Sequence, residues 1–358
     1  MALIKIKERG RESVNLGRRN LIINGAMQVA QRSTSFTGTA GGLFCIDRWR
    51  FIRNAGTPTL THTQESDAPD GFSYSYKINV DTPTTLASTH HSELAYSIEA
   101  QDMQYLNWGS SAAKDITLSF WVKSNVTGIY SCSFRNQDGG DVNLSKTYTI
   151  NTSGVWEYKT ITIDGDTVNS INNDNGYGLR PHWALSAGSN YTTGTVGVWN
   201  SDLTYKFAGH AVDFNGTANN YWQITGVQLE VGDTATDFEH RSYSEELALC
   251  HRYYYAFQIA NDLVGQNSFL ACAYSANTMY AVIDYPVQMR TEPSLVRGGT
   301  WHARNGNNNS FTMSADFQKS GRNNGVLAQG SVGSSNTSDA YWVEPQDGTG
   351  YLSFDAEL

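Results

Sequence analysis

Short runs of alternating apolar and polar residues, separated by clusters of turn-forming residues, dominate the sequence after residue 70. Alternation with a period of two is typical of β-strands that bury one face. The clusters between the runs are rich in Gly, Asn and Asp, which favour turns. The runs therefore predict an all-β protein built on an antiparallel sandwich or jelly roll. The clearest runs are SYSYKINV (73–80), ITLSFWVK (116–123), VWEYKTITI (155–163) and YWQITGVQLEV (221–231).

The composition excludes several other classes of protein. Only 16% of the 358 residues are charged and 12% are aromatic, and 33 are glycine, which argues against a helical bundle, a coiled coil and a charged disordered chain. No run reaches the ~18 apolar residues of a membrane helix, and the N-terminus lacks the apolar segment of a secretory signal. The chain has four cysteines, Cys45, Cys132, Cys250 and Cys272, and their spacing is not that of metal ligands. They are expected to be reduced, buried thiols of a protein made in a cytosol.

One segment, SYSEELALCHRYYYAF (242–257), departs from the strand pattern. Ser242 and Glu245 have the spacing of a capping box, which predicts a helix of two to three turns that ends near Arg252. A lone helix between β regions is a natural domain boundary. We therefore expect an N-terminal arm over residues 1–50, a jelly roll over 51–240, a connecting helix over 241–256 and a C-terminal antiparallel β domain over 257–358.

The first twenty residues are basic although the chain is acidic. They contain six basic and two acidic residues, whereas the whole chain has a net charge of −9. Because the acidic body repels phosphate, the charge distribution favours docking of the arm on an acidic protein surface over binding to nucleic acid. The residues expected to anchor the arm are Lys5, Lys7, Arg9 and Arg11.

Several segments resemble tailed-bacteriophage fibre proteins, in the order in which that family has them. They are NLIINGAMQVAQRSTSFTG…IDRWRF (20–51), GVQLEVGDTATDFEHRSYSEELALCHRYYY (226–255), YPVQMRTEPSL (285–295) and FDAEL (354–358). Three further segments resemble a jelly-roll carbohydrate-binding module: LSFWVKSNVTGIYSCSFRN (118–136), GVWEYKTITIDGD (154–166) and ITGVQLEVG (224–232).

The resemblance implies a homotrimeric structural protein of the virion, assembled in the host cytoplasm. Its N-terminus would attach to other virion proteins, and its C-terminal tip would bind a host-surface glycan. Attachment to the tail is the first expectation, and a capsid-bound head fibre or decoration protein is the alternative. A virion-associated glycan hydrolase is a second alternative, but the chain has no glycosidase motif, so we expect no enzymatic activity, cofactor, metal ion, nucleic-acid partner or membrane partner.

Glycan recognition uses aromatic rings that stack on sugar faces and amides that bind hydroxyl groups. The C-terminal region combines both features around residues 301–309 and beside residue 342. The expected glycan contacts are Trp301, His302, Asn305, Asn307, Asn309 and Trp342. For each aromatic residue the alternative is packing in the core or at a trimer interface.

The jelly-roll region has aromatic residues of two expected kinds. Four lie in loop-like segments and are further candidates for sugar stacking: Trp108, Trp183, Trp199 and Tyr191. Three alternate within strands and are expected in the core: Trp121, Trp156 and Trp222. His90, His91 and Glu93 could together hold a metal ion. Neighbouring residues of a strand point to opposite faces, however, so the two histidines rarely reach the same ion, and we expect a polar strand end here instead.

Overall fold

The computed structural model describes residues 19–258, 269–275, 278–299, 301–304, 310–313, 315–330, 340–345 and 351–358. Over these residues the chain is all-β, with antiparallel sheets and one short α-helix, which confirms the predicted fold class. In this part of the chain no helix is long and apolar enough to cross a membrane.

Two antiparallel sheets form a jelly-roll sandwich. The six-stranded sheet has the order β1–β4–β5–β13–β8–β11. These strands are β1 (Ser35–Gly38), β4 (Thr59–Glu65), β5 (Ser75–Thr82), β8 (Ile116–Ser124), β11 (Glu157–Ile163) and β13 (Tyr221–Val231).

The seven-stranded sheet has the order β10–β9–β12–β6–β3–β2, and β7 pairs with β12. Its strands are β2 (Leu43–Phe44), β3 (Trp49–Asn54), β6 (His91–Tyr96), β7 (Ile98–Glu99), β9 (Gly128–Asn136), β10 (Val142–Ile150) and β12 (Tyr177–Ala187). Three segments between the strands form 3-10 helices: Ala100–Leu106, Leu203–Tyr205 and Phe214–Gly216.

The main core lies between these two sheets. Phe120 of the six-stranded sheet meets Trp183 of the seven-stranded sheet edge-on, with ring centroids 5.8 Å apart, and Trp49 lies 5.5 Å from Trp183 on its own sheet. All three rings are fully buried. Burial of large aromatic side chains is the main stabilising term in such a core.

Residues 20–50 are part of this sandwich rather than a separate arm. Leu21 donates its backbone N–H to Leu229 at 2.9 Å, and the apolar side chains of residues 21–29 join the core. Gly25 is required here, because a Cβ atom would lie 2.1 Å from the carbonyl oxygen of Val227. The predicted boundary at residue 50 is therefore not a structural boundary, and the anchoring residues Lys5, Lys7, Arg9 and Arg11 lie outside the described residues.

The predicted helix is present as α1 (Tyr243–His251). Ser242 and Glu245 form the predicted capping box, and the C-cap is Arg252. The helix does more than connect two regions, since Glu246 accepts a hydrogen bond from the backbone of Asn24 and Cys250 is buried in the main core. It thereby fixes the N-terminal segment on the sandwich.

Two further antiparallel sheets follow the helix. A three-stranded sheet has the order β14–β23–β17, and a seven-stranded sheet, which we call the C-terminal sheet, has the order β19–β18–β22–β15–β16–β21–β20. The strands are β14 (Tyr254–Gln258), β15 (Phe269–Ser275), β16 (Thr278–Asp284), β17 (Ser294–Gly298), β18 (Trp301–Arg304), β19 (Ser310–Met313), β20 (Ala315–Ser320), β21 (Asn324–Gly330), β22 (Ala340–Pro345) and β23 (Tyr351–Asp355).

A buried network joins the chain's last residues to the sandwich. Arg48 and Glu357 form an ion pair in which both side chains are almost fully buried, and the guanidinium of Arg48 lies 3.3 Å from the ring centroid of Tyr253. Arg32 pairs with Asp355 at 3.0 Å. We call these five residues the junction.

Three of the four cysteines are buried free thiols, as expected. Cys272 is the exception, because it is exposed on the C-terminal sheet. Burial raises the pKa of the Cys45 thiol to about 11, with a contribution from Asp47, so this thiol is neutral at pH 7.

Candidate functional site

The predicted glycan contacts of the C-terminal region are described only in part. The backbone of Trp301 and His302 belongs to β18, but their side chains lie outside the described part of the structure. Residues Asn305, Asn307 and Asn309 also lie outside it. Their role in glycan binding stays a prediction.

Trp342 lies on an exposed apolar row of the C-terminal sheet. Leu270 pairs with Trp342, and the pairing of Ala271 with Ala281 places Val282 on the other side of Leu270. These three side chains are 53–57% exposed. Leu270 and Val282 have no hydrogen-bonding groups for sugar hydroxyls, so this side of Trp342 is better suited to apolar packing than to glycan recognition.

The aromatic residues of the sandwich differ from expectation in both groups. Trp183 lies on β12 and is fully buried, and Trp108 and Tyr191 are 7% exposed, so these three pack rather than face solvent. Trp222 lies in the core as expected. Two others expected in the core are half-buried and reach solvent instead: Trp121 and Trp156.

Trp199 is the one of the four loop candidates that lines an open cleft. The cleft has a volume of about 520 Å³ and lies between the edge strands of the two sheets, β10 and β11. Val142, Leu144 and Lys146 form its wall on β10. The opposite wall is the loop after β11, which contains Asp164, Gly165, Asp166, Thr167, Val168 and Asn169.

The position of Trp199 is fixed from two sides. Its ring meets that of Trp108 edge-on, with centroids 5.8 Å apart. The next residue, Asn200, exchanges two backbone hydrogen bonds with Asn143 of β10, at 2.8 and 2.9 Å. A ring held in this way needs little ordering when a ligand binds, which lowers the entropic cost of binding.

The loop that faces Trp199 is also preorganised. The Asp166 carboxylate accepts hydrogen bonds from the backbone of Val168 and Asn169 at 2.9 and 3.0 Å, and from the Asn169 side chain at 2.8 Å. Asp164 is exposed beside it, and Lys146 is half-buried on the facing strand. Within the described residues neither forms an ion pair. The cleft therefore combines one aromatic ring with a free carboxylate, a free ammonium group and amides.

A second aromatic surface lies on the outer face of the six-stranded sheet. Trp121 and Tyr158 pair across β8 and β11 with ring centroids 5.3 Å apart. Nearby, Asp67 accepts hydrogen bonds from Lys123 and from the indole of Trp156. Sequence reasoning missed this surface because Trp121 follows the alternation of a strand, and alternation alone does not say which face is outside.

The group of His91 and Glu93 is a buried cluster rather than a polar strand end. Glu93 is fully buried and contacts His182 at 3.0 Å, His91 at 3.3 Å and Lys206 at 3.0 Å. Burial raises the pKa of Glu93, but Lys206 and His182 outweigh it and hold the pKa well below its usual range. Among the described residues no group of three or more His, Cys, Asp or Glu side chains is arranged to hold a metal ion.

Three buried histidines predict a loss of stability in mildly acidic solution. Burial lowers the pKa of His62, His182 and His210 to about 4, whereas an unfolded histidine titrates near pH 6.5. Between these values the unfolded chain binds more protons, so stability falls as the pH falls from about 6.5 toward 4. Burial raises the pKa of Asp47 to about 6, which acts in the opposite direction, but this is one group against three.

Thermal unfolding at a series of pH values checks this expectation. The midpoint is expected to stay constant between about pH 8 and pH 7.5, where both states have neutral histidines, and to fall between about pH 6.5 and pH 5. A midpoint that does not change down to about pH 5 would contradict it.

No protein-family model and no curated protein sequence matches this chain. Several solved structures are similar to this chain at low sequence identity. They include the enzymatically active domain of tailspike protein 4 of bacteriophage CBA120, with 13% identity, a TM-score of 0.33, and coverage of 60% of this chain and 22% of that chain. This chain thus spans about a fifth of the tailspike chain.

Two carbohydrate-binding modules are also similar. TmCBM61, solved with β-1,4-galactotriose, has 13% identity and a TM-score of 0.30, with coverage of 60% of this chain and 100% of that chain. The CBM22-2 xylan-binding domain of Paenibacillus barcinonensis Xyn10C has 16% identity and a TM-score of 0.29, with coverage of 55% and 99%.

Proposed function

We propose that this protein is a non-enzymatic fibre protein of a tailed-phage virion that binds a host-surface glycan in the cleft at Trp199. The observation that carries the glycan-binding part is the combination of a fixed indole ring with hydrogen-bonding groups on both walls of a cleft of about 520 Å³. Stacking on an aromatic ring, together with hydrogen bonds from charged and amide side chains, is the chemistry by which proteins hold sugars.

The cleft is less suited to hydrolysis than to binding. Glycoside hydrolysis needs two carboxyl groups that are free to exchange a proton or attack the sugar. Asp164 and Asp166 both line the cleft, but the carboxylate of Asp166 already accepts three hydrogen bonds that hold its own loop. This arrangement supports a binding role and argues against the hydrolase alternative.

The virion part of the proposal rests on the resemblance of residues 20–51, 226–255, 285–295 and 354–358 to phage fibre proteins. We propose that Lys5, Lys7, Arg9 and Arg11 dock the N-terminus on another virion protein, of the tail or alternatively of the capsid. We also propose that three copies pack through the exposed row of Trp342, Leu270 and Val282. Burying such a row between identical chains removes apolar surface from water.

Incubation of the purified full-length protein with host cell-surface polysaccharide tests the proposal. The protein is expected to co-sediment with the polysaccharide and to release no reducing ends. Release of reducing ends would favour the hydrolase alternative. Absence of co-sedimentation with the polysaccharide of a susceptible host would contradict glycan binding.

A further inference from the structure

The outer face of the sandwich's seven-stranded sheet has an unusual set of polar residues. Pairing across β10, β9 and β12 aligns Asn143, Arg135 and Arg180 in one row. In the next row Ser133 pairs with His182. His182 also pairs with Ala95, which pairs with Arg50 of β3. Because paired residues point to the same face, these side chains share one surface.

Several polar atoms on this surface are buried without a hydrogen-bond partner among the described residues. Ser133, His182, Asn143 and Arg180 are at most 8% exposed. Among the atoms of these four residues and of Arg50, those without a partner are Ser133 Oγ, His182 Nε2, Asn143 Oδ1, Arg180 Nη2 and Arg50 Nε. Buried polar atoms almost always have partners, so a cluster of unpartnered ones indicates a place where a polar ligand would be held.

The unpartnered atoms are of two kinds. The guanidinium groups of Arg50 and Arg180 can only donate hydrogen bonds, so they suit an anion. His182 and Asn143 offer acceptors instead: Nδ1 of His182 contacts the Glu93 carboxylate, which leaves Nε2 of the neutral ring as an acceptor, and the free atom of Asn143 is its carbonyl oxygen. Acceptors repel a bare anion but bind the hydroxyl groups of a sugar.

The charges on this surface do not balance. Two cations have carboxylate partners, since Arg135 pairs with Asp141 and Lys206 pairs with Glu93. Arg180 has no carboxylate partner among the described residues; its Nε donates to Ser97 at 2.9 Å, and its guanidinium lies 4.1 Å from the Tyr177 ring centroid. These contacts orient one edge of the guanidinium and leave Nη2 free.

Arg50 likewise has no carboxylate partner within the described residues, and its guanidinium lies 5.8 Å from the ring centroid of Phe44. Burial lowers the pKa of Arg180; Tyr177 acts against this, and the positive charges of Arg50 and Arg135 add to the lowering. Two guanidinium groups that repel each other in a chain of net charge −9 favour a negatively charged ligand.

We propose that this outer face binds an anionic saccharide, whose acidic group is held by Arg50 and Arg180 and whose hydroxyl groups are bound by Ser133, Asn143 and His182. Arg50 and Arg135 are half-buried and form the rim, and Ser133 and His182 form the floor. The inference rests on the proposed function in that the ligand is a saccharide, and it adds a second saccharide site, separate from the cleft at Trp199, and the chemical class that this site takes. A sugar carboxylate and a sugar phosphate share the bidentate chemistry that arginine recognises.

An array of matched saccharide pairs tests this inference on the full-length protein. Each acidic oligosaccharide is printed beside its carboxyl-reduced neutral counterpart, and each phosphorylated oligosaccharide beside its dephosphorylated counterpart. Binding to one acidic class is expected to be roughly tenfold or more tighter than to its neutral counterpart, and to weaken as salt is added. The array also shows whether the acidic group is a carboxylate or a phosphate.

Arg50→Gln and Arg180→Gln are each expected to abolish the preference for the acidic member of the pair. Lys77→Gln is the matched control, since it removes one positive charge from the other sheet of the sandwich, and it is expected to keep the preference. Because Arg180 is buried, the binding of Arg180→Gln is interpreted only if its thermal unfolding midpoint matches that of the wild type. Arg50 lies at the rim, so Arg50→Gln is expected to fold normally.

Equal binding to acidic and neutral members, or the same effect of Arg50→Gln and Lys77→Gln, would overturn the inference. Inorganic phosphate that competes as strongly as the saccharide would also overturn it, because the site would then bind a simple anion. If neutral saccharides bind through Trp199 and no pair shows a charge preference, only this inference fails. If no saccharide binds at all, the proposed function fails as well.

Discussion

The full-length protein is expected to sediment as a trimer at micromolar concentration, and Val282→Arg is expected to convert it to a monomer. Val282 is 57% exposed in the single chain and lies in a row with Leu270 and Trp342. Stable obligate interfaces typically bury about 2,000 Å² or more. A charge placed in such an apolar interface has no partner there, and its desolvation costs several kcal/mol.

Val155→Arg is the control for this substitution. Val155 is also exposed, at 48%, but it lies just before β11 of the sandwich and not on the C-terminal sheet. Analytical ultracentrifugation of the three proteins gives the answer directly. A wild-type protein with the mass of a monomer would refute the trimer. A Val282→Arg variant that stays trimeric would remove this face as the interface.

Glu357→Gln is expected to destabilise the protein by about 3–5 kcal/mol. The substitution leaves Arg48 buried with its positive charge and without its carboxylate partner. Burial alone would lower the pKa of Arg48, but Glu357 outweighs it, so the pKa lies above its usual value. The carbonyl of Ser97, which accepts a hydrogen bond from Arg48 at 2.6 Å, cannot replace that charge.

The matched control is Glu65→Gln, which breaks a partly solvent-exposed ion pair with Lys77 at 3.7 Å and is expected to cost less than about 1 kcal/mol. Thermal unfolding midpoints of both variants are compared with the wild type. If Glu357→Gln lowers the midpoint no more than Glu65→Gln does, the junction does not stabilise the fold.

The segments that carry the fibre resemblance meet in space, which the sequence order does not show. Residues 20–51 contribute Arg32 and Arg48, residues 226–255 contribute Tyr253 and residues 354–358 contribute Asp355 and Glu357 to the junction. Residues 285–295 reach the same place, since the side chain of Arg290 donates to the carbonyl of Ala356 at 2.8 Å. These segments are therefore parts of one structural unit.

The strands and the helix were predictable because their signals are local. Alternation identifies a strand over a few residues, and Ser242 with Glu245 identifies a helix start. The C-terminal limit of the N-terminal arm was not predictable. The burial of residues 20–50 depends on a strand about two hundred residues away in the sequence, around Leu229. Pairing at that separation leaves no periodic signal in the arm itself.

The sequence predicted which kinds of side chain would form the candidate site, but not where in the fold they would lie. Trp199 was among the four loop aromatics, but nothing in its neighbouring residues distinguished it from Trp183, which is fully buried. What distinguishes Trp199 is its place between two sheet edges, which depends on the order of the strands. The outer-face residues Arg50, Arg135 and Arg180 come together only through pairing across three separate strand contacts.

The central claim is that the cleft at Trp199 binds a saccharide, and titration of Trp199→Ala with host cell-surface polysaccharide tests it most directly. Loss of a stacking ring at the centre of a binding site typically costs about 2 kcal/mol or more, so the affinity is expected to fall by roughly 30-fold with the trimer intact. Trp121→Ala, which removes one aromatic ring from the outer face of the six-stranded sheet, is expected to leave the affinity unchanged. Unchanged affinity of Trp199→Ala together with a loss of affinity in Trp121→Ala would contradict the account and move the glycan site to that face.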